Sequence, residues 1–359
     1  MKNLVLSLLF SFSLFADSVL FNDGKKQEGN ITWSASGLSV DNKKLNLADL
    51  LKVAFDRPLI SNEGEYIILT DGSMIRAQST KLLSDEKALL IDYRGEEKKL
   101  SLSLISSISF QGAHYFNQTE PGFYTLNDFH YPGEAAYFTK SSIGQNKPSK
   151  KRHKKVLLNS LHIQKIIKSS SEYVFYTTSR EIIYGKLVKQ SSETIQIETV
   201  FGIIDYPTVE IIQLAKNHVS VGSEDIKDIK YTAFIDQCRE LNFNKSYTNS
   251  QILDQGFSTT NFISMHSRTE FVITPRAGTR ALLFSTTFDP SSHNGHVHLS
   301  ISQNGKSLLK KTISSSEFHS DLFVAVSQGD IRVLLDYGKG GSAGDYFILL
   351  NPQFIEGKK

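Results

Sequence analysis

The chain has few of the residues that would advertise covalent, redox or charge-driven chemistry. One cysteine stands among its 359 residues. No disulfide can therefore close within the chain, and its cores must hold by buried apolar surface alone. That residue, Cys238, lies in Ile-Asp-Gln-Cys-Arg-Glu-Leu, which matches no nucleophile signature and reads as a buried or idle thiol. Lys and Arg number 40 against 37 Asp and Glu, for a net charge of +3, too small a surplus to point to a polyanionic partner. Beyond the N-terminus no apolar run approaches the length of a membrane-spanning helix, so the mature chain is expected to be soluble. No His-Glu-x-x-His helix, phosphate-binding loop or Ser/His/Asp signature is present. The glycine-rich stretch at 338–344 fails the phosphate-loop test because its Lys and Ser do not follow the last Gly at a helix start. Scattered carboxylates without a motif give no glycosidase pair, so the reading is non-enzymatic.

Aromatic and β-branched residues are what the chain does have. Phe (23) and Tyr (14) are plentiful, Trp occurs once, and short β-forming runs alternate with Gly, Asn, Asp and Ser, which favours β structure. The first residues, Met1-Lys2-Asn3, an apolar run from Leu4 to Phe15 and then Ala16-Asp17, have the form of a secretory signal. Cleavage is expected after Ala16, with a rather large Leu14 two positions before it. With no Cys after the run, a lipoprotein anchor is not expected. The expectation is export, to the periplasm, the cell surface or the medium.

Three segments repeat one pattern. Leu20-Phe21-Asn22-Asp23-Gly24 opens the first, Ile68-Leu69-Thr70-Asp71-Gly72 the second and Tyr176-Thr177-Thr178-Ser179-Arg180 the third. Five residues after the turn comes a small residue: Gly29, Ala77, Gly185. Each copy closes on an apolar triplet, read as Leu50, Val53, Phe55; Ile105, Ile108, Phe110; and Val209, Ile212, Leu214. Fixed offsets argue for duplicated units, and an Asp-Gly turn between apolar runs argues for a tight hairpin. Five short strands in each unit fit a small bent sheet or barrel, with a weak likeness to Sm-like or SH3-like barrels. The expected organisation is a signal at 1–16, repeats at 17–60, 61–115 and 161–222, an aromatic-rich extension at 116–138, a basic linker at 139–160 and a C-terminal unit at 223–359. The run Lys150-Lys151-Arg152-His153-Lys154-Lys155 lacks interleaved aromatics. It reads as a solvated hinge, with no specific nucleic-acid partner.

In the C-terminal unit, three signatures follow in order: Met265-His266-Ser267-Arg268-Thr269-Glu270-Phe271, then the stretch from Asn294 through His296 and His298 to the Asn304-Gly305 turn, then Asp336-Tyr337-Gly338 through Asp345-Tyr346. Together they resemble the NPCBM family, the novel putative carbohydrate-binding module found beside family 98 glycoside hydrolases. The sequence departs from that pattern in two places: Phe262-Ile263-Ser264-Met265 lacks the family's Gly, and Leu349 stands where a Trp would fall. The resemblance implies a jelly-roll, galactose-binding-like β-sandwich that binds a glycan or polysaccharide. The whole chain is thus expected to be all-β, with small repeated β-barrel-like units followed by a C-terminal sandwich.

Sugar recognition calls for planar hydrogen-bonding groups and an aromatic face. The candidates are His266, Arg268, Asn294, Asp345 and Tyr346. Equally, His266 and Arg268 suit a role in tying a strand end to its neighbouring loop. His296 and His298, two apart on a strand with His293 before them, would need a further ligand to hold zinc. No cofactor is expected, though a structural calcium at Asp289 or Asp345 fits the fold class. The competing reading is an envelope scaffold with a protein partner, its sandwich having lost the sugar site along with the aromatic at Leu349.

Overall fold

The computed structural model describes residues 17–61, 63–83, 87–110, 112–113, 122–125, 130–132, 135–139, 142–145, 158–167, 169–231, 240–248, 250–339 and 345–357. The expected signal at 1–16, Cys238, the basic run at 150–155 and residues 340–344 of the glycine-rich loop lie outside them. Among the described residues the protein is all-β, its only helical pieces being single 3-10 turns.

The three repeats share one geometry. Each opens with a hairpin whose turn residue has positive φ: Gly24 (83°), Gly72 (92°) and Arg180 (62°). The N–H of that residue donates to Phe21, Leu69 or Thr177 respectively, at 2.9, 3.1 and 3.0 Å. Each unit closes with a 3-10 turn, at Leu47–Asp49, Leu102–Leu104 or Thr208–Glu210, followed by a last strand. The same tie recurs in all three: Asn22, Thr70 and Thr178 donate N–H to Asp49, Leu104 and Glu210, each at 2.8 Å.

One part of the repeat reading needs correcting. The last strands begin opposite equivalent residues, Leu50 with Phe21, Ile105 with Leu69 and Ile211 with Thr177. The third copy therefore matches through Ile211 and Leu214, at 0 and 2% exposure, while Val209 is 68% exposed on the 3-10 turn. The register places Lys216 where the third apolar residue would stand, and a search for an apolar triplet slides two residues back.

The small residue of each repeat sits at a corner. Gly185 pairs with Tyr173 in the main sheet, and its neighbour Lys186 already pairs with Glu198 in the adjoining sheet. A Cβ on Gly185 would fall 2.4 Å from Ile197 Cγ2 and 2.7 Å from the Glu198 carbonyl oxygen. Such bends require a residue that lets another backbone approach closely.

The repeats also join edge to edge. Across one continuous sheet run His130–Pro132, Gly122–Thr125, Leu158–His162, Ile105–Ser109, Glu65–Leu69, Met74–Ala77, Ile182–Gln190, Tyr173–Thr177, Ile211–Lys216, Leu50–Ala54, Ser18–Phe21 and Lys26–Glu28. The first and third repeats pair through Gln213 with Ala54, Leu214 with Val53 and Ala215 with Lys52. A single core draws on all three, from Val19 and Trp33 through Ile67 and Tyr93 to Phe175 and Leu214.

The C-terminal unit is a sandwich of two antiparallel sheets. One runs Asn242–Phe243, Phe262–His266, Tyr346–Glu356, Thr279–Phe288 and His319–Ala325, with Val219–Ser220 added on Tyr346–Glu356. The other runs Ile226–Tyr231, Thr269–Ile273, Ile331–Tyr337, His296–Gln303 and Lys306–Ser314. Alternate residues meet between them, among them Met265, Phe271, Phe284, Leu299, Val333 and Phe347. The apolar run Phe347-Ile348-Leu349-Leu350 is buried on both faces. Phe347 and Leu349 point into the sandwich, while Ile348 and Leu350 pack with Ile252 and Phe262.

Further along that outer face, Ala281, Leu283 and Ile355 bury Leu20 and Leu51 of the first repeat. The hairpin of Leu253–Asp254 and Phe257–Ser258 reaches the repeats as well. Its Gly256 carbonyl accepts from Arg180, and Phe257 meets the Tyr176 ring edge-on at 4.9 Å.

Candidate ligand site at one end of the sandwich

Strand ends from both sheets converge where Ser267-Arg268 carries the chain from Phe262–His266 into Thr269–Ile273. Arg268 takes φ of 62° there. Its N–H donates to the Leu335 carbonyl at 2.8 Å, and Thr269 Oγ1 donates to the His266 carbonyl at 2.6 Å. The Arg268 side chain lies over the Tyr337 ring, 4.5 Å from its centre, and its Nε meets Asp336 Oδ1 at 3.2 Å. Arg268 and Asp336 keep 30 and 43% of their side-chain surface exposed, so the pair faces solvent.

Beneath this rim the residues are buried. Asp345 is 1% exposed and accepts the His296 N–H on Oδ1 at 2.8 Å. Its Oδ2 is buried and meets no protein donor. Burial pushes the Asp345 carboxyl up, opposed by the His296 N–H, the nearby Ser267 hydroxyl and the adjacent imidazoles of His266 and His296. His266 is also buried, opposite Tyr346 in register. The Tyr346 ring packs between His266 at 5.4 Å and Tyr247 at 5.3 Å. Its carbonyl accepts from Asp289 N–H at 2.8 Å. Asn294 stands exposed in the turn before His296.

Of the five candidates, the structure thus places His266, Asp345 and Tyr346 side by side, Arg268 on the adjacent rim and Asn294 on an outer turn. Sequence reasoning overlooked Asp336, Tyr337 and Tyr247. The sequence marks Asp336-Tyr337 as the end of a strong alternating strand immediately before the glycine-rich loop, but only strand pairing brings them to Arg268.

The histidine pair is committed locally. His296 Nδ1 accepts the Lys339 N–H at 3.0 Å, and His298 Nδ1 lies 2.8 Å from Thr312 Oγ1. Gly338 is required beside His296, since a Cβ there would fall 1.7 Å from Nδ1. Asp289 Oδ1 is taken by Thr248 at 2.6 Å and by Ser291 at 2.9 and 3.1 Å, leaving a buried Oδ2 without a donor. Calcium takes about six to eight oxygens, and among the described residues no three acidic, His or Cys side chains converge on a metal position.

No family profile matches the sequence, and no curated protein does. Solved structures give a faint likeness. CBM51-2 with the INT domains of Clostridium perfringens ZmpB, in complex with GlcNAc, shares 13% identity over 48% of this chain and 38% of that one, with a TM-score of 0.34. CBM51 from C. perfringens GH95, in complex with methyl-galactose, shares 10% over 36% of this chain and 92% of that one, at 0.30. The M60 catalytic domain with CBM51-1 and CBM51-2 of ZmpB shares 12% over 94% of this chain, at 0.33. This chain spans only 38 and 28% of the two ZmpB structures. At these scores the sandwich assignment rests on its own strand pairing.

Leu349 answers a question the sequence raised. It is 1% exposed, inside the core between the sheets and paired with Ile263 and Thr286. Leu349 therefore holds a packing position and takes no part in a ligand surface. What the rim offers is a guanidinium fork, a carboxylate and the Tyr337 ring.

Proposed function

We propose that the protein is an exported, non-catalytic glycan-binding protein, with the sugar held at this end of the sandwich. The observation that carries the reading is the Arg268 guanidinium fixed between Asp336 and the Tyr337 ring on a part-exposed rim. Vicinal hydroxyls would pair with the guanidinium and carboxylate, and a ring's C–H face would lie on tyrosine. Tyr346 stands beside the rim, while the buried His266 and Asp345 position it from below. The repeats serve as spacer or docking units. Binding of the mature chain to a glycan array tests this: retained signal for wild type and loss with Tyr337→Ala supports it, and an array left dark by a folded wild type refutes it.

A second reading, an envelope scaffold with a protein partner, is favoured by one observation. Asp345 and His266 are buried and locally engaged, as in a strand-end tie. In that reading a folded protein binds no array glycan.

A further inference from the structure

Between the repeat sheet and the outer face of the sandwich lies a cavity of about 490 Å³, within the range of small-molecule sites. The repeats line it with Lys52, Tyr176 and Tyr184, the sandwich with Asp254, Asp321 and Asn351. Lys52 is 9% exposed and already committed, its Nζ 3.0 and 3.1 Å from the two Asp321 oxygens. Asp254 is less well served. Its Oδ2 accepts from Asn351 Nδ2 at 2.5 Å, and the Asn351 Oδ1 accepts in turn from Thr259 at 2.8 Å. Its Oδ1 is buried and meets no protein donor.

A buried acceptor left unpaired is unfavourable, so such an atom calls for water or a ligand. The electrostatics select the kind of ligand. Burial pushes the Asp254 carboxyl up, Lys52 draws it down and Asp321 pushes it up again, leaving a carboxyl whose nearest cation is spent on another partner. A metal ion does not fit, because among the described residues no third acidic, His or Cys side chain completes a ligand set with these two carboxylates. The walls are partly aromatic, with Tyr176 braced by the edge of Phe257 at 4.9 Å.

We propose that this cavity binds a small polyhydroxylated amine of the size of an unacetylated amino sugar, its ammonium on Asp254 and its hydroxyls towards Asn351, Tyr176 and Tyr184. An ammonium supplies the charge-assisted donor that Asp254 Oδ1 lacks. The site is distinct from the sandwich end, since Asn351 lies five residues along its strand from Tyr346, roughly 17 Å away.

Calorimetric titration of the full mature chain with glucosamine, and with N-acetylglucosamine as the neutral comparator, tests the proposal. Glucosamine is expected to bind with a Kd in the ~mM range or tighter. The comparator should bind about tenfold more weakly, and Asp254→Asn should weaken glucosamine binding about tenfold, the value of one strong hydrogen bond. Equal binding of both sugars, binding that survives Asp254→Asn, or no glucosamine binding up to about 10 mM overturns it. If Asp254→Asn does not fold, Tyr184→Phe decides, weaker binding supporting the proposal and unchanged binding overturning it.

Discussion

Arg268 combines two demands at one position: a left-handed backbone, φ 62°, and a guanidinium over Tyr337 beside Asp336. A non-glycine residue in that conformation is disfavoured by about 1–2 kcal/mol. The exposed ion pair and the cation–π contact return about 0.5–1 kcal/mol each. Arg268→Gly should therefore change the unfolding free energy by less than about 1 kcal/mol while abolishing glycan binding. Chemical denaturation paired with a binding assay checks this, and a large stability loss would make Arg268 a structural tie. At the same scale, the missing aromatic at Leu349 put either core packing or a ligand platform in question, and the side chain lies in the core between the sheets.

Among the elements, the corner strand Ile182–Gln190 carries the clearest constraint. Gly185→Val would press a branched side chain against Ile197 and the Glu198 backbone, which lie 2.4 and 2.7 Å from even a bare Cβ. Overpacking of this kind destabilises by about 1–3 kcal/mol, and a lowered Tm for Gly185→Val with a smaller fall for Gly185→Ala would confirm that close approach is the cause. The duplicated units were legible because turn chemistry is local. Asp23-Gly24 and Asp71-Gly72 mark hairpins by backbone permissiveness alone, and Gly29, Ala77 and Gly185 mark corners by size. The third copy's register was not, since it is set by pairing with Thr177 across the sheet and a lysine breaks the apolar triplet. For the same reason the rim residues Asp336 and Tyr337 were missed: they join Arg268 only through pairing of Thr269–Ile273 with Ile331–Tyr337, a long-range contact.

For the molecule as a whole, the sandwich and the repeats form a joined structure, and the junction carries its own titrating group. His218 lies between the last repeat strand and Val219–Ser220. Burial, with Lys216 and Arg280 adding to it, holds its imidazole down at about 4 against an ordinary 6.5. Its Nε2 is buried without a partner. A folded pKa below the unfolded one contributes stability that is complete above pH 6.5 and is lost as pH falls towards about 4. The gap bounds that loss at ~3 kcal/mol. Asp254 and Glu181 act in the opposite sense, because burial raises both carboxyls and acid relieves the penalty. The difference between wild type and His218→Asn isolates the histidine: wild type should lose stability relative to the variant as pH falls through this window, and parallel pH profiles would sink the assignment.

The central claim is that a glycan rests on the rim made by Arg268, Asp336 and Tyr337. Hydrogen-exchange footprinting of the full mature chain, with and without a polysaccharide that it retains, measures this most directly. Added protection is expected to be confined to the strand ends around 266–269, 335–339 and 345–347. Protection elsewhere, on the repeats or on the outer strand Lys306–Ser314, would contradict it.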